Sequence, residues 1–513
     1  MSTTNMKLPG PANMITSNPL NDLTETDRAV HPSATHASLG FLLAAAIEEE
    51  IPGQAFFIEY SFIGGYYCHL GAMCPSTADF LERITERVVA YVHGNDRLEF
   101  LHVDRSVLQR RFQEQGRDDK LEILIRLNRD PVPAARFRNY MDYRFEPMTE
   151  DMRLLRNFSL DPYDQGFVLR FPSMLPPYEM APMHDSPKLF HIIQQRSEWG
   201  RALGVMNLRQ LNRIVDTNQF RELILVAEGL HEKNIARIAD KICAQPDRRV
   251  IFVSGPSSSG KTTFSKRLPI QLKVNGYATL SLSMDDYFVD KRDMTPQADG
   301  TLDFEDITAL NVNLLSSHVQ TLLQGKSVSN RLYSFKKGKG SFSEEQVSLP
   351  KEAFLIIEGL HGLNPVFMDA LGRNTIQRIY ISAITQLNVD NEHRISSSDN
   401  RLIRRLVRDA QFRNYHAEET LQIWPSVRRG EEKHIFAYQE DADFMFNSAL
   451  IYELSALRPK AEEVLATVPT TSEAYEEAIR LLTFLSFIAP VNLKSIPRTS
   501  IIREFLGGSL FHY

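Results

Sequence analysis

The stretch Gly255-Pro256-Ser257-Ser258-Ser259-Gly260-Lys261-Thr262 constrains this chain more than any other. It spells G-x-x-x-x-G-K-[ST]. Just before it, Val250 to Ser254 is a short apolar run, as suits a strand buried on both faces. Just after it, Thr262 to Lys273 patterns as a helix. A loop between a buried strand and a helix N-terminus is the setting in which this motif cradles phosphate. Its glycines let the backbone curl until N–H groups converge on an anion. The helix adds unpaired N–H groups and the positive end of its dipole. Lys261 can reach the outer phosphates, and the Thr262 hydroxyl suits Mg2+. Gly255 through Thr262, with Thr263 beside them, therefore form the expected nucleotide-binding set.

A phosphate loop implies a nucleotide but not a reaction. Further apolar runs, Ala278 to Ser283, Ala353 to Ile357 and Arg378 to Ser382, alternate with helical patterns. That alternation predicts an α/β fold with a parallel sheet and flanking helices. The run ending at Ser283 leads into Asp285-Asp286, and the run ending at Ile357 into Glu358-Gly359. A carboxylate at the C-terminal end of a parallel strand points into the ligand crevice. Asp285 is favoured over Asp286 as the base that a kinase needs beside an alcohol. Glu358 suits a second Mg2+ contact opposite Thr262. Farther on, Arg401, Arg404, Arg405 and Arg408 recur at helical spacing. Clustered arginines can neutralise a transferring phosphoryl group, and a mobile helix carrying them can act as a lid. Arg404 and Arg408 are the expected catalytic arginines, with Arg405 on the nucleotide. A solvated basic helix is the plainer alternative.

Composition narrows the remainder. The chain has 513 residues, 43% hydrophobic and 24% charged, and a net charge of −6. These values suit a folded chain without a broad positive field, so extended polyanion binding is not expected. Three cysteines, Cys68, Cys74 and Cys243, are too few for a disulfide framework and fit a reducing compartment. No apolar run has signal-peptide or membrane-spanning length, which predicts a cytoplasmic protein with no membrane partner. Residues 1–30 read as a flexible tail. An α+β block follows over 31–205: a helix over Leu39 to Glu50, a hairpin from Ala55 to Leu70 and a helix over Asp79 to Val92. A helical connector is expected over 206–247, and the phosphate-loop region over 248–513.

Several motifs together resemble the uridine kinase and phosphoribulokinase family of P-loop kinases. They are the phosphate loop, Leu282-Ser283-Met284-Asp285, Asp303-Phe304-Glu305-Asp306, Tyr333-Ser334-Phe335, Ile357-Glu358-Gly359 and the run from Arg401 to Asp409. The resemblance implies an ATP- and Mg2+-dependent small-molecule kinase. Asp285 would be its base, Asp303 and Tyr333 (with Phe288) would hold the acceptor, and the arginine helix would cover ATP. The family's acceptor motif usually reads Tyr-Asp-Phe with a histidine beyond it. This chain has Tyr333-Ser334-Phe335 followed by Lys336, Lys337 and Lys339. A nucleoside acceptor is expected, with a sugar phosphate as the alternative.

The N-terminal block, from Thr35-His36 through Pro52-Gly53 to Gly64-Gly65-Tyr66-Tyr67, resembles the second additional domain of threonyl- and alanyl-tRNA synthetases. That family's site needs His-x-x-x-His and a later Cys-x-x-x-His, whereas His31 and His36 stand five apart. The resemblance therefore implies the fold but not metal or deacylase chemistry. Trp424 to Glu431 and Ile496 to Gly508 resemble signatures of a bacterial-type subfamily that joins the two units. An ATP-regulated sensor that touches tRNA is the reading from another class, and homo-oligomerisation stays open.

Overall fold

The computed structural model describes residues 32–71, 77–127, 129–172, 179–180, 182–296 and 302–512. The residue 1–30 tail, His31 and Cys74 lie outside them. The chain divides into two compact units, one of residues up to 111 with 129–184, the other of 112–128 with residues from 185 onward.

The first unit is α+β. Its helix Pro32–Glu50 is buried nearly all round, with Leu39, Leu42, Leu43, Ala46 and Ile47 each at most 1% exposed. The predicted hairpin is present as Phe57–Phe62 paired with Gly65–His69. It is completed into a four-stranded antiparallel sheet by Gly166–Arg170 and Ser159–Tyr163. The helix Ala78–His93 buries Phe80, Leu81, Ile84 and Val88, the face predicted for it, and Thr77 caps its N-terminus. A separate three-stranded sheet runs through Glu99–Val103, Val132–Phe137 and Tyr140–Tyr143. His36 stacks on Phe171 with ring centroids 3.5 Å apart, which is a packing role.

The second unit holds a five-stranded, wholly parallel sheet. In chain order its strands are β1 (Val250–Ser254), β2 (Ala278–Ser283), β3 (Ala353–Glu358), β4 (Ile376–Ser382) and β5 (Phe444–Asn447). Across the sheet the order is β5-β4-β1-β3-β2. β1 is completely buried along its length, as a central strand covered on both faces must be. The helices named below are α1 (Lys261–Val274), α2 (Ser397–Arg408), α3 (Ala417–His434) and α4 (Glu453–Leu465). The chain reverses its winding at β1, so the loops after β1 and β3 meet at the C-terminal edge of the sheet, where such folds bind ligands.

The helices Pro187–Leu203, Leu208–Asp216 and Phe220–Cys243, read as the end of one block and a connector, all lie in this second unit. So does the helix Asp118–Arg126, held there by Lys120 and Arg117 on the nearly buried Glu392 carboxylate. Among the described residues no helix is long and apolar enough to cross a membrane.

Candidate active site

The phosphate loop follows the last residue of β1. At Gly255 a side chain is sterically impossible, because a Cβ there would sit 2.0 Å from the Ile381 carbonyl oxygen. Gly260 caps α1 at φ +83°, a left-handed conformation that glycine adopts without strain. Lys261 begins the helix, and its ammonium folds back onto the carbonyls of Gly255 and Pro256 at 2.8 and 3.1 Å. Burial pushes the Lys261 pKa down, while Glu358 and Asp285 push it up.

The outer side of the loop is braced by charge. Glu431 on α3 accepts the Ser257 N–H at 2.8 Å and is clasped by both terminal nitrogens of Arg401 on α2. Burial would raise the Glu431 pKa, but Arg401 and Arg428 outweigh it and hold the group below its usual range. Arg401 also donates to the Ser257 carbonyl, and Arg404 to the Ser258 carbonyl. Ser448, just past β5, donates to the Ser259 carbonyl. The loop's carbonyls are thus tied outward, which leaves its remaining N–H groups free to face an anion.

Arg404 departs from its expected role. Its side chain is 0% exposed, and its guanidinium is committed to Glu453, Ser448 and the Ser258 carbonyl. It positions the loop and does not reach into the cleft. The helix that carries it is packed as a wall, with Leu402, Ile403, Leu406 and Val407 buried alongside Arg401 and Arg404. Arg405 donates to the Ser257 hydroxyl at 3.0 Å. Arg408 leans on the buried Asp409 and lies within electrostatic reach of Lys261 and Glu504. Burial and the neighbouring Arg413 lower its pKa to about 10, so it stays a cation at neutral pH.

Glu358 ends β3, and its Oε1 lies 3.3 Å from the Thr262 hydroxyl. Burial lifts its pKa to about 7, opposed by Lys261 and reinforced by Asp285 and Glu504. Two hard oxygen donors side by side at the phosphate loop fit a Mg2+ ion. Asp285 sits two residues past β2, where the Ser283 hydroxyl accepts its N–H. The residue is exposed to solvent, although protein atoms around its carboxyl desolvate it in part. The crowding raises its pKa, while Lys261 and Arg413 pull it back. Asp286 is structural, since it accepts the Tyr333 N–H at 3.1 Å.

Three residues past Asp285 in the chain, Phe288 anchors an aromatic cluster. The Phe288 ring is centred 5.9 Å from Phe304, 5.7 Å from Tyr333 and 5.4 Å from Phe335. The Tyr333 hydroxyl is buried without a hydrogen-bond partner among the described residues. Asp303 accepts the Glu305 N–H at 2.8 Å and lies beside Asp306 and His434. Those three could enclose a metal ion in principle, but Lys433 and Thr308 already engage Asp306. Lys336, Lys337 and Lys339 are all exposed.

Four groups at this site were not singled out from the sequence. They are Glu305, whose pKa burial and Glu431 raise to about 7, and Glu431, Arg413 and Glu504. Glu431 and Glu504 do fall within the segments that resemble subfamily signatures, but nothing local marks either as part of the loop.

Residues 250–453 match the model of the family described as phosphoribulokinase / uridine kinase. A uridine kinase from Deinococcus deserti is 30% identical over 173 residues, 34% of this chain and 74% of the relative. A uridine kinase from Brevibacillus brevis is 27% identical over 181 residues, 35% of this chain and 75% of the relative. A solved structure described as a possible uridine kinase from Bacillus stearothermophilus aligns over 42% of this chain and 98% of its own, with 18% identity and a TM-score of 0.29.

Proposed function

The chain belongs to the phosphoribulokinase/uridine kinase family, and from that premise we propose that it transfers the γ-phosphoryl group of ATP to the hydroxyl of a nucleoside. One observation carries the choice of acceptor: Phe288, three residues past Asp285 in the chain, gathers Phe304, Tyr333 and Phe335 into an aromatic cluster. Aromatic faces suit a planar base, and a sugar phosphate offers them little to stack on.

The geometry supports the following roles. The loop N–H groups and Lys261 hold the triphosphate, with Lys261 leaving the Gly255 and Pro256 carbonyls to do so. Thr262 and Glu358 would hold Mg2+, which would neutralise phosphate charge when bound. Asp285 accepts the proton of the acceptor hydroxyl, aided by the crowding that raises its basicity. Arg405 and Arg408 line the phosphate side, while Arg401 and Arg404 keep the loop in shape. This positioning is most of what phosphoryl transfer requires.

The alternative acceptor, a sugar phosphate, would draw on Lys336, Lys337 and Lys339. A panel of nucleosides and phosphosugars, followed by ADP release, tests the proposal. Turnover with a nucleoside supports it, and turnover confined to phosphosugars refutes it. For the first unit we retain the synthetase-like fold as a proposal, without metal chemistry. Salt-dependent tRNA binding in the absence of phosphoryl transfer would favour the sensor reading instead.

A further inference from the structure

The phosphate-binding helix already holds an anion supplied by its own chain. Thr263, in the first turn of α1, donates its backbone N–H to Glu504 Oε2 at 3.0 Å and its hydroxyl to the same oxygen at 2.7 Å. Both residues are buried, Thr263 completely and Glu504 to 7% exposure. Paired donors at a helix N-terminus, in line with its dipole, form an anion site, and here it follows a phosphate loop.

Glu504 lies on the short helix Arg503–Leu506, 241 residues along the chain from Thr263. Its segment is seated on the loop at two further points. The Ile501 side chain closes on Gly260 so tightly that a Cβ there would come within 2.7 Å of it. The Arg404 guanidinium lies 5.0 Å over the Phe505 ring. Glu504 is also close enough to Lys261 and Glu358 to raise the pKa of each. A second negative charge beside it would meet direct repulsion.

We infer that Glu504 is an intramolecular stand-in for nucleotide phosphate, which occupies the Thr263 donors in the free protein and must leave them when a nucleotide binds. The segment from Ser500 to Leu506 then shifts with nucleotide occupancy, and the free enzyme keeps its helix N-terminus paired. The inference rests on the kinase reading above, since it requires a phosphate to enter this loop.

The test uses the full chain with Mg2+ and a fluorescent ATP analogue. Glu504→Ala should bind the analogue about tenfold more tightly, the scale of one competing charge-assisted hydrogen bond. Glu504→Gln, which keeps the shape and drops the charge, should fall between the two. Amide exchange across 500–506 in the wild type should rise when nucleotide is added. Wild-type or weaker affinity in both variants, with an unchanged melting curve, overturns the inference. So does exchange that falls or stays level on nucleotide addition, and this arm decides if the alanine variant misfolds. A wild type and variants that all fail to bind nucleotide would sink the kinase reading itself, which separates the two failures.

Discussion

The Thr262 hydroxyl lies 3.3 Å from Glu358 Oε1, so the first turn of α1 meets the end of β3 at a pair of hard oxygen donors. Glu358→Gln keeps the shape and removes the charge that a divalent cation needs. The variant is expected to require about tenfold more Mg2+ for half-maximal turnover, and kcat should fall as well. A Mg2+ titration at saturating ATP checks this. An unchanged Mg2+ requirement would remove Glu358 from the cation site.

Asp285 faces the cleft with Lys261 and Arg413 in electrostatic reach. Asp285→Asn cannot accept a proton, so turnover should fall by about 10²–10⁴-fold. Affinity for the ATP analogue should hold, because the loop's hydrogen bonds do not involve Asp285. Single-turnover kinetics alongside equilibrium binding separate the two effects. A variant with full activity would show that the base lies elsewhere.

Glu305 gives the free protein a signature in pH. Burial and the nearby Glu431 raise its pKa from an ordinary 4.5 to about 7, so across that window the folded chain binds a proton that the unfolded chain has lost. Stability from this group is therefore greatest below pH 4.5, falls as pH rises, and levels off above about 7. Glu305→Gln should remove a slope of at most about 1.4 kcal/mol per pH unit. Denaturant unfolding of both proteins between pH 5 and 8 measures it, and parallel profiles would contradict the assignment.

Legibility followed the range of the interactions. The β1–loop–α1 unit could be read because its signals, apolar run, glycines and Lys-Thr, are adjacent in the chain. β5 escaped notice: four residues carry no periodicity, and Phe444–Asn447 is a strand only because β4 pairs with it. The hairpin Val328–Ser334/Lys339–Val347 is largely polar and exposed, so no apolar alternation marked it. The arginine spacing did predict a shared helix face. Which arginines turn inward depended on Glu431 and Glu453, 30 and 49 residues away from their partners, and on no local pattern.

Tyr333 offers a clean probe of the acceptor side. Its hydroxyl is buried and has no partner among the described residues, so Tyr333→Phe removes a group that gains no hydrogen bond from them. The variant should be as stable as the wild type or slightly more so. If the hydroxyl meets the nucleoside, KM for the acceptor should rise about fivefold to tenfold while KM for ATP stays put. An equal rise in both constants would place Tyr333 outside acceptor recognition.

Arg404 and Glu453 form a buried ion pair, 0% and 3% exposed, with nitrogen and oxygen 2.6 Å apart. Arg404→Met would leave the Glu453 carboxylate buried without its countercharge and cut the brace to the Ser258 carbonyl. The expected cost is about 3–5 kcal/mol of stability, measured by denaturant unfolding. The double variant Arg404→Met/Glu453→Met removes both charges and should recover part of that loss, since an apolar pair of similar volume is often neutral, while the Asn400 amide and the Leu450 N–H that also donate to Glu453 are left unpaired. Its activity should stay low even so, because the loop carbonyl has lost its donor. Full recovery of activity together with stability would show that Arg404 serves the fold alone and does not shape the phosphate loop.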